Sequence, residues 1–73
     1  MRIRIESTTK IVEINGVQTR IWEGQSESGI PVHCYVALIA VPAGADSAEF
    51  DAELQQQRVP SPDVAAIPLR LIL

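Results

Sequence analysis

Alternation of apolar and polar side chains dominates the first half of the chain. Ile3 and Ile5 alternate with Arg2, Arg4 and Glu6, and the apolar set resumes as Ile11, Val12 and Ile14 after the polar stretch Ser7-Thr8-Thr9-Lys10. A period of two marks a half-buried strand. The move of the apolar set from odd to even positions predicts a β-bulge near residues 7–10, since one inserted residue flips the facing. Asn15-Gly16 then predicts a type I′ hairpin turn, whose two central residues need positive φ. Such a turn pairs Ile14 with Val17, Val12 with Thr19 and Lys10 with Ile21. A second strand runs from about Val17 to Glu23, and Gly24 to Gly29 is a polar turn. The third strand, from about Ile30 to Val41, has an apolar row at Ile30, Val32, Cys34, Val36, Leu38 and Ala40. Its other row, Pro31, His33, Tyr35, Ala37, Ile39 and Val41, is mixed in character, and Pro42-Ala43-Gly44 ends the strand.

The pattern then changes. Asp46 to Arg58 is a helix by its signals: Asp46 as N-cap, Glu49 three residues on, acidic residues in the first turns and Arg58 near the far end. Its apolar face is narrow, Phe50 and Leu54 flanked by Ala48 and Ala52, so it can lid a sheet but cannot form a core alone. Val59-Pro60-Ser61-Pro62-Asp63 is a rigid connection that offers a further short helical turn capped by Ser61 with Pro62 at its first position. Ile67 to Leu73 alternates again, with Pro68 confining it to a sheet edge or a strand start. The order βββαβ predicts an α+β fold: an antiparallel sheet of about four strands with one helix on one face.

Composition bounds what such a fold can do. The 73 residues are 47% apolar, with six basic against nine acidic side chains and a formal net charge of −3, enough for one domain spanning residues 1–73. The acidic balance gives no positive field for a phosphate backbone, so general nucleic-acid binding is disfavoured. One cysteine forms no internal disulfide. No apolar run has the length of a membrane span, and no signal-type segment follows the start, which leads to the expectation of a soluble cytoplasmic protein. A domain this small buries only about 60% of its unfolded surface, so subunit association is a common source of the missing burial.

One helix covers one sheet face, which leaves the other to water or to a partner. The residues assigned to that second face are Ile11, Gln18, Arg20, Trp22, His33, Tyr35, Ile39, Val41 and Ile72. They include two of the three aromatics, which makes the face a candidate homo-oligomer or partner interface, with Ile39, Val41 and Ile72 as interface residues. The other reading is that the chain's own termini fold over it. An unpaired edge at Leu69–Leu73 is a second route to association.

Candidate chemistry is sparse. His33 and Cys34 are neighbours on a strand and point to opposite faces, so they cannot act as base and nucleophile together. Cys34 reads as a small core hydrophobe, and besides it and His33 the chain has no other His or Cys to complete a metal site. The acidic positions of Asp46–Glu53 read as a solvated helix face. No phosphate-cradling glycine loop is present, and no cofactor is expected. The constellation that stands out is Arg20, Trp22, His33 and Tyr35. If the second and third strands pair as a hairpin, these four are expected to share a face, equipped either to stack on a base and grip a phosphate or to anchor a protein partner. Cross-strand packing with Arg20 laid over the indole is the alternative.

The stretches RIWEG (20–24), ESGIPV (27–32) and VAAIPLRLIL (64–73) resemble small open reading frames of bacteriophages and prophages. The resemblance implies context and no catalytic residues: a small accessory protein, not an enzyme, that blocks or sequesters a host factor and so antagonises host defence. Protein inhibition and sponging of a nucleotide signal are the two mechanisms. A structural or assembly protein of a phage, or a small hydrolase with an active site at a subunit interface, are the alternatives.

Overall fold

The structure, a computed structural model, describes residues 1–73. Strands β1 (Ile3–Ile14), β2 (Val17–Ser26) and β3 (Pro31–Val36) are followed by helices α1 (Ser47–Leu54) and α2 (Pro62–Ala65) and by the short strand β4 (Arg70–Leu71). They form one four-stranded sheet in the order β3-β2-β1-β4. The α+β class is as expected. The sheet is mixed rather than antiparallel throughout, because β4 returns beside β1 in parallel, Glu13 opposite Arg70 and Ile14 opposite Leu71.

Local chemistry accounts for the first hairpin. Asn15 (φ 49°) and Gly16 (φ 87°) both take positive φ, the requirement of a type I′ turn. Ile14 pairs with Val17 and Val12 with Thr19, as the turn dictates. The expected Lys10–Ile21 pair does not form, because the register changes between Ile11↔Arg20 and Ser7↔Trp22. Three residues of β1, Thr8 to Lys10, lie there against Ile21 alone. Two residues are thus extra rather than one, and the facing does not flip: Ser7 and Ile11 lie on the same side as Trp22 and Arg20. Ile3 and Ile5 therefore stand on the Trp22 side, and Val12 and Ile14 on the Ile21 side. The phase change in the sequence is a change in which face of one strand is buried.

The bulge is stitched by side chains. Thr8, fully buried, donates from Oγ1 to the Ile21 carbonyl (2.7 Å) and accepts from the Lys10 N–H (3.2 Å). The Arg20 guanidinium donates to the Thr8 carbonyl (2.9 Å). No buried side-chain polar atom is left without a partner, as low-dielectric burial demands.

The core is small. Val12, Ile21 and Val64 are its fully buried hydrophobics, with Ile14, Ile67 and Leu71 packed around them. Val64 comes from α2, which starts with Ser61 as N-cap and Pro62 in the first turn as the sequence predicts. The helix on the Ile21 face is thus α2, while α1 borders the other side at Trp22, which replaces the expectation of one helix on one face. Helix α1 starts as predicted, the Asp46 carboxylate accepting the Glu49 N–H (3.0 Å), but it ends at Leu54. Arg58 is not at its end. The chain there extends along the open side of β1, the Arg58 N–H donating to the Ser7 carbonyl (3.1 Å) and the Arg58 carbonyl accepting from Thr9 (3.0 Å). Val59, preceding Pro60, is in any case biased against helix.

Two strand boundaries also differ from expectation. β3 ends at Val36, not Val41: beyond its Arg20↔Val36 pair only Thr19 and the exposed hairpin end Val17–Gln18 remain of β2, too few to pair with the rest of the expected strand. Of the alternating segment Ile67–Leu73, only Arg70–Leu71 is strand, with Leu73 held by its N–H to the Asn15 side-chain carbonyl (3.0 Å).

Gly24 marks a close approach of two strands. A Cβ built at this residue would stand 1.8 Å from the Arg4 carbonyl oxygen, a backbone atom that cannot step aside. Gly24→Ala is expected to destabilise the fold by about 1–3 kcal/mol through overpacking, read as a lower midpoint in urea denaturation, whereas Gly16→Asn, which tolerates positive φ, should cost far less.

Candidate functional site

The register of β2 against β3 decides which side chains can act together. Trp22 lies opposite Cys34, Arg20 opposite Val36, Ile21 opposite Tyr35 and Glu23 opposite His33. Directly opposed residues share a face, so Arg20 and Trp22 stand on one side of the sheet and His33 and Tyr35 on the other. The expected four-residue constellation is not assembled. The cause is the loop: the segment Glu27-Ser28-Gly29 between Ser26 and Ile30 is three residues long, with Gly29 at φ 86°, and an odd loop pairs even positions with even ones. A two- or four-residue loop would have put Trp22 beside Tyr35.

Each candidate therefore has its own surroundings. Arg20 is half-buried and committed to the Thr8 carbonyl. Trp22 is half-buried at the wall of a groove of about 640 Å³ between the sheet and α1, with Phe50 and Leu54 opposite and Glu6, Glu53 and Arg58 at its rim. His33 is exposed on the edge strand, and Tyr35 is 38% exposed. Cys34 is half-buried rather than core. Of the expected interface residues, Val41 is half-buried, and Ile39 (39%) and Ile72 (84%) are exposed. Ile39 and Val41 follow the end of β3 and Ile72 the end of β4, so none belongs to a sheet face.

Where the expected cluster is missing, another stands on the Ile21 face. The Glu23 side chain is 8% exposed and accepts from three donors: the Arg58 guanidinium, the Ser61 N–H (3.0 Å) and the Ser61 hydroxyl (2.9 Å). Arg58 also pairs with Glu6 (3.3 Å). Burial pushes the Glu23 carboxyl up, but the Arg58 and Ser61 hydrogen bonds and the Arg58 charge outweigh it and hold the group below its ordinary 4.5. This cluster borders an open polar basin of about 690 Å³, where Arg2, Arg4 and Gln25 stand beside Glu6, Glu23 and Arg58. Its acids and bases are mixed in sign, and Glu23 and Arg58 are spent on each other, so the arrangement serves to hold the fold.

One signal for it is present in the chain. Thr19, Ile21 and Glu23 form one alternating row, so a carboxylate sits in line with core positions and needs a cation and donors. Which arginine answers it depends on tertiary pairing. Because the folded carboxyl titrates below its ordinary value, the stability it contributes is complete above pH 4.5 and is lost as pH falls through the folded value. Thermal melts are expected to show falling stability below pH 4.5, and Glu23→Gln should be less stable at neutral pH with a flatter acid limb. No family model, curated protein or solved structure matches the chain.

Proposed function

We propose that the protein is a small non-catalytic binding protein that acts by occupying a host protein, in the manner of a phage accessory protein opposing a host defence. The observation that carries this reading is the groove at Trp22. A half-buried indole, an aromatic and an aliphatic side chain across from it, and a rim where Glu6 is paired with Arg58 and Glu53 adds a further carboxylate form the anchor pocket that a protein partner fills with an apolar side chain. An acidic molecule with a net charge of −3 meets basic partners on favourable electrostatic terms.

The same geometry weighs against a sponge for a nucleotide signal. That mechanism needs a guanidinium and stacking rings converging on one ligand. Here Arg20 donates to a backbone carbonyl, and Trp22 and Tyr35 lie on opposite faces.

Native mass spectrometry of the protein purified from a bacterial host lysate tests the proposal. The expected result is one host protein bound in integer stoichiometry, lost in Trp22→Ala while circular dichroism shows the variant folded. A nucleotide-sized adduct in place of a protein, or binding that survives the substitution, would overturn it.

A further inference from the structure

The chain exposes more surface than is typical of a compact monomer of its mass. Its accessible area is 5550 Å², against about 4,450 Å² expected for a compact monomer of 8.0 kDa. Only seven of 73 residues are buried. The radius of gyration, 13.4 Å, likewise exceeds the roughly 11 Å of a compact chain of this length. The excess of about 1,100 Å² is near the roughly 800 Å² that each partner contributes to a standard interface.

One edge of the sheet is built to receive that contact. The Ser26 N–H donates to the Ile30 carbonyl (2.9 Å), which sets the phase of the β2–β3 ladder: even residues of β3 bond to β2, and His33 and Tyr35 point their N–H and C=O groups outward. Natural monomers guard such an edge with charge, bulges or a cover. This edge has no charge, bulge or cover, and its one proline, Pro31, stands at the first position of the strand, where it removes one outward donor and leaves those of His33 and Tyr35. Residues 30–45 contain no Asp, Glu, Lys or Arg, although 21% of the chain is charged, and β3 is regular from Pro31 to Val36. The opposite edge is closed to the same use, since β4 has two residues and follows Pro68.

We infer that two copies of the chain join edge to edge through β3, antiparallel about a two-fold axis, to make one continuous eight-stranded sheet. A second copy fits this edge because antiparallel pairing of β3 with itself is self-complementary, and the excess area matches what one subunit gives to a dimer. Antiparallel alignment brings the Ile30 end of one β3 beside the Ala37–Ile39 end of the other. Ile30 (61% exposed), Leu38 (84%) and Ile39 (39%) then lie at both ends of the contact, where an isolated chain leaves them in water. A strand uses its outer edge only once, so the assembly closes as a dimer and does not propagate. The inference does not depend on any host factor, and purified protein suffices to test it.

Sedimentation equilibrium at micromolar concentration should give twice the 8.0 kDa of the chain. His33→Pro removes one outward N–H without touching the β2 ladder, and Tyr35→Lys sets like charges near each other across the axis. Each is expected to raise the dimer dissociation constant about tenfold or more with an unchanged circular dichroism spectrum. Tyr35→Lys keeps the test decisive if proline unfolds the strand. A wild-type monomer, or a dimer that both folded variants leave intact and Ile72→Lys abolishes, would overturn the inference.

Discussion

A single buried carboxylate joins three parts of this molecule that share no regular secondary structure. Glu23 projects from β2, one of the two inner strands of the sheet, and accepts hydrogen bonds from Arg58, which lies along the open side of β1, and from Ser61, which caps α2. Removing it would leave Arg58 without its buried partner and the Ser61 N–H without an acceptor. Replacing a buried ion pair with well-packed apolar residues is often neutral in other proteins, but here the ions also place a helix. Val64 reaches the core only because the turn that begins at Ser61 is held against β2, and without Val64 the fully buried core is reduced to Val12 and Ile21.

The second constraint is the bulge in β1. One alternation runs through the whole strand, and it serves two layers: the first half buries Ser7 beside α1, and the second half buries Val12 beneath α2. Because the bulge adds two residues, it preserves that facing. The extra residues supply Thr8, whose side chain satisfies the Ile21 carbonyl that the register change leaves without a ladder partner. Backbone groups on the outer side are satisfied by residues 58 and 69–71, so β1 is bonded on both sides for much of its length.

What was legible in the chain was local. The Asn15-Gly16 turn, the caps at Asp46 and Ser61, the alternation in β1 to β3 and the irregularity at residues 7–10 are written in adjacent residues whose conformational preferences act over one turn or one pair. What was not legible depends on parity and on distant pairing. One residue more or fewer in the Glu27–Gly29 loop decides whether Trp22 faces Tyr35 or turns its back on it. The parallel return of β4 and the pairing of Glu23 with Arg58 are set by packing across dozens of residues. The helix signal over Asp46–Arg58 was overridden at its end because β1 offered the backbone of Arg58 better partners than another helical turn.

The placement of β4 also orders events in time. β1, β2 and β3 form a meander with short loops whose closure costs little entropy, so they can pair early. Glu13 and Arg70 are joined only after a long, mostly irregular segment has been drawn back across the sheet, and that step buries Val64 and satisfies Glu23. Until it happens, a three-stranded ribbon with two bare edges and no covered core is all the chain can be. That entropically costly closure is therefore also the step that covers the core and the bare edge of β1, leaving β3 as the one long edge still open.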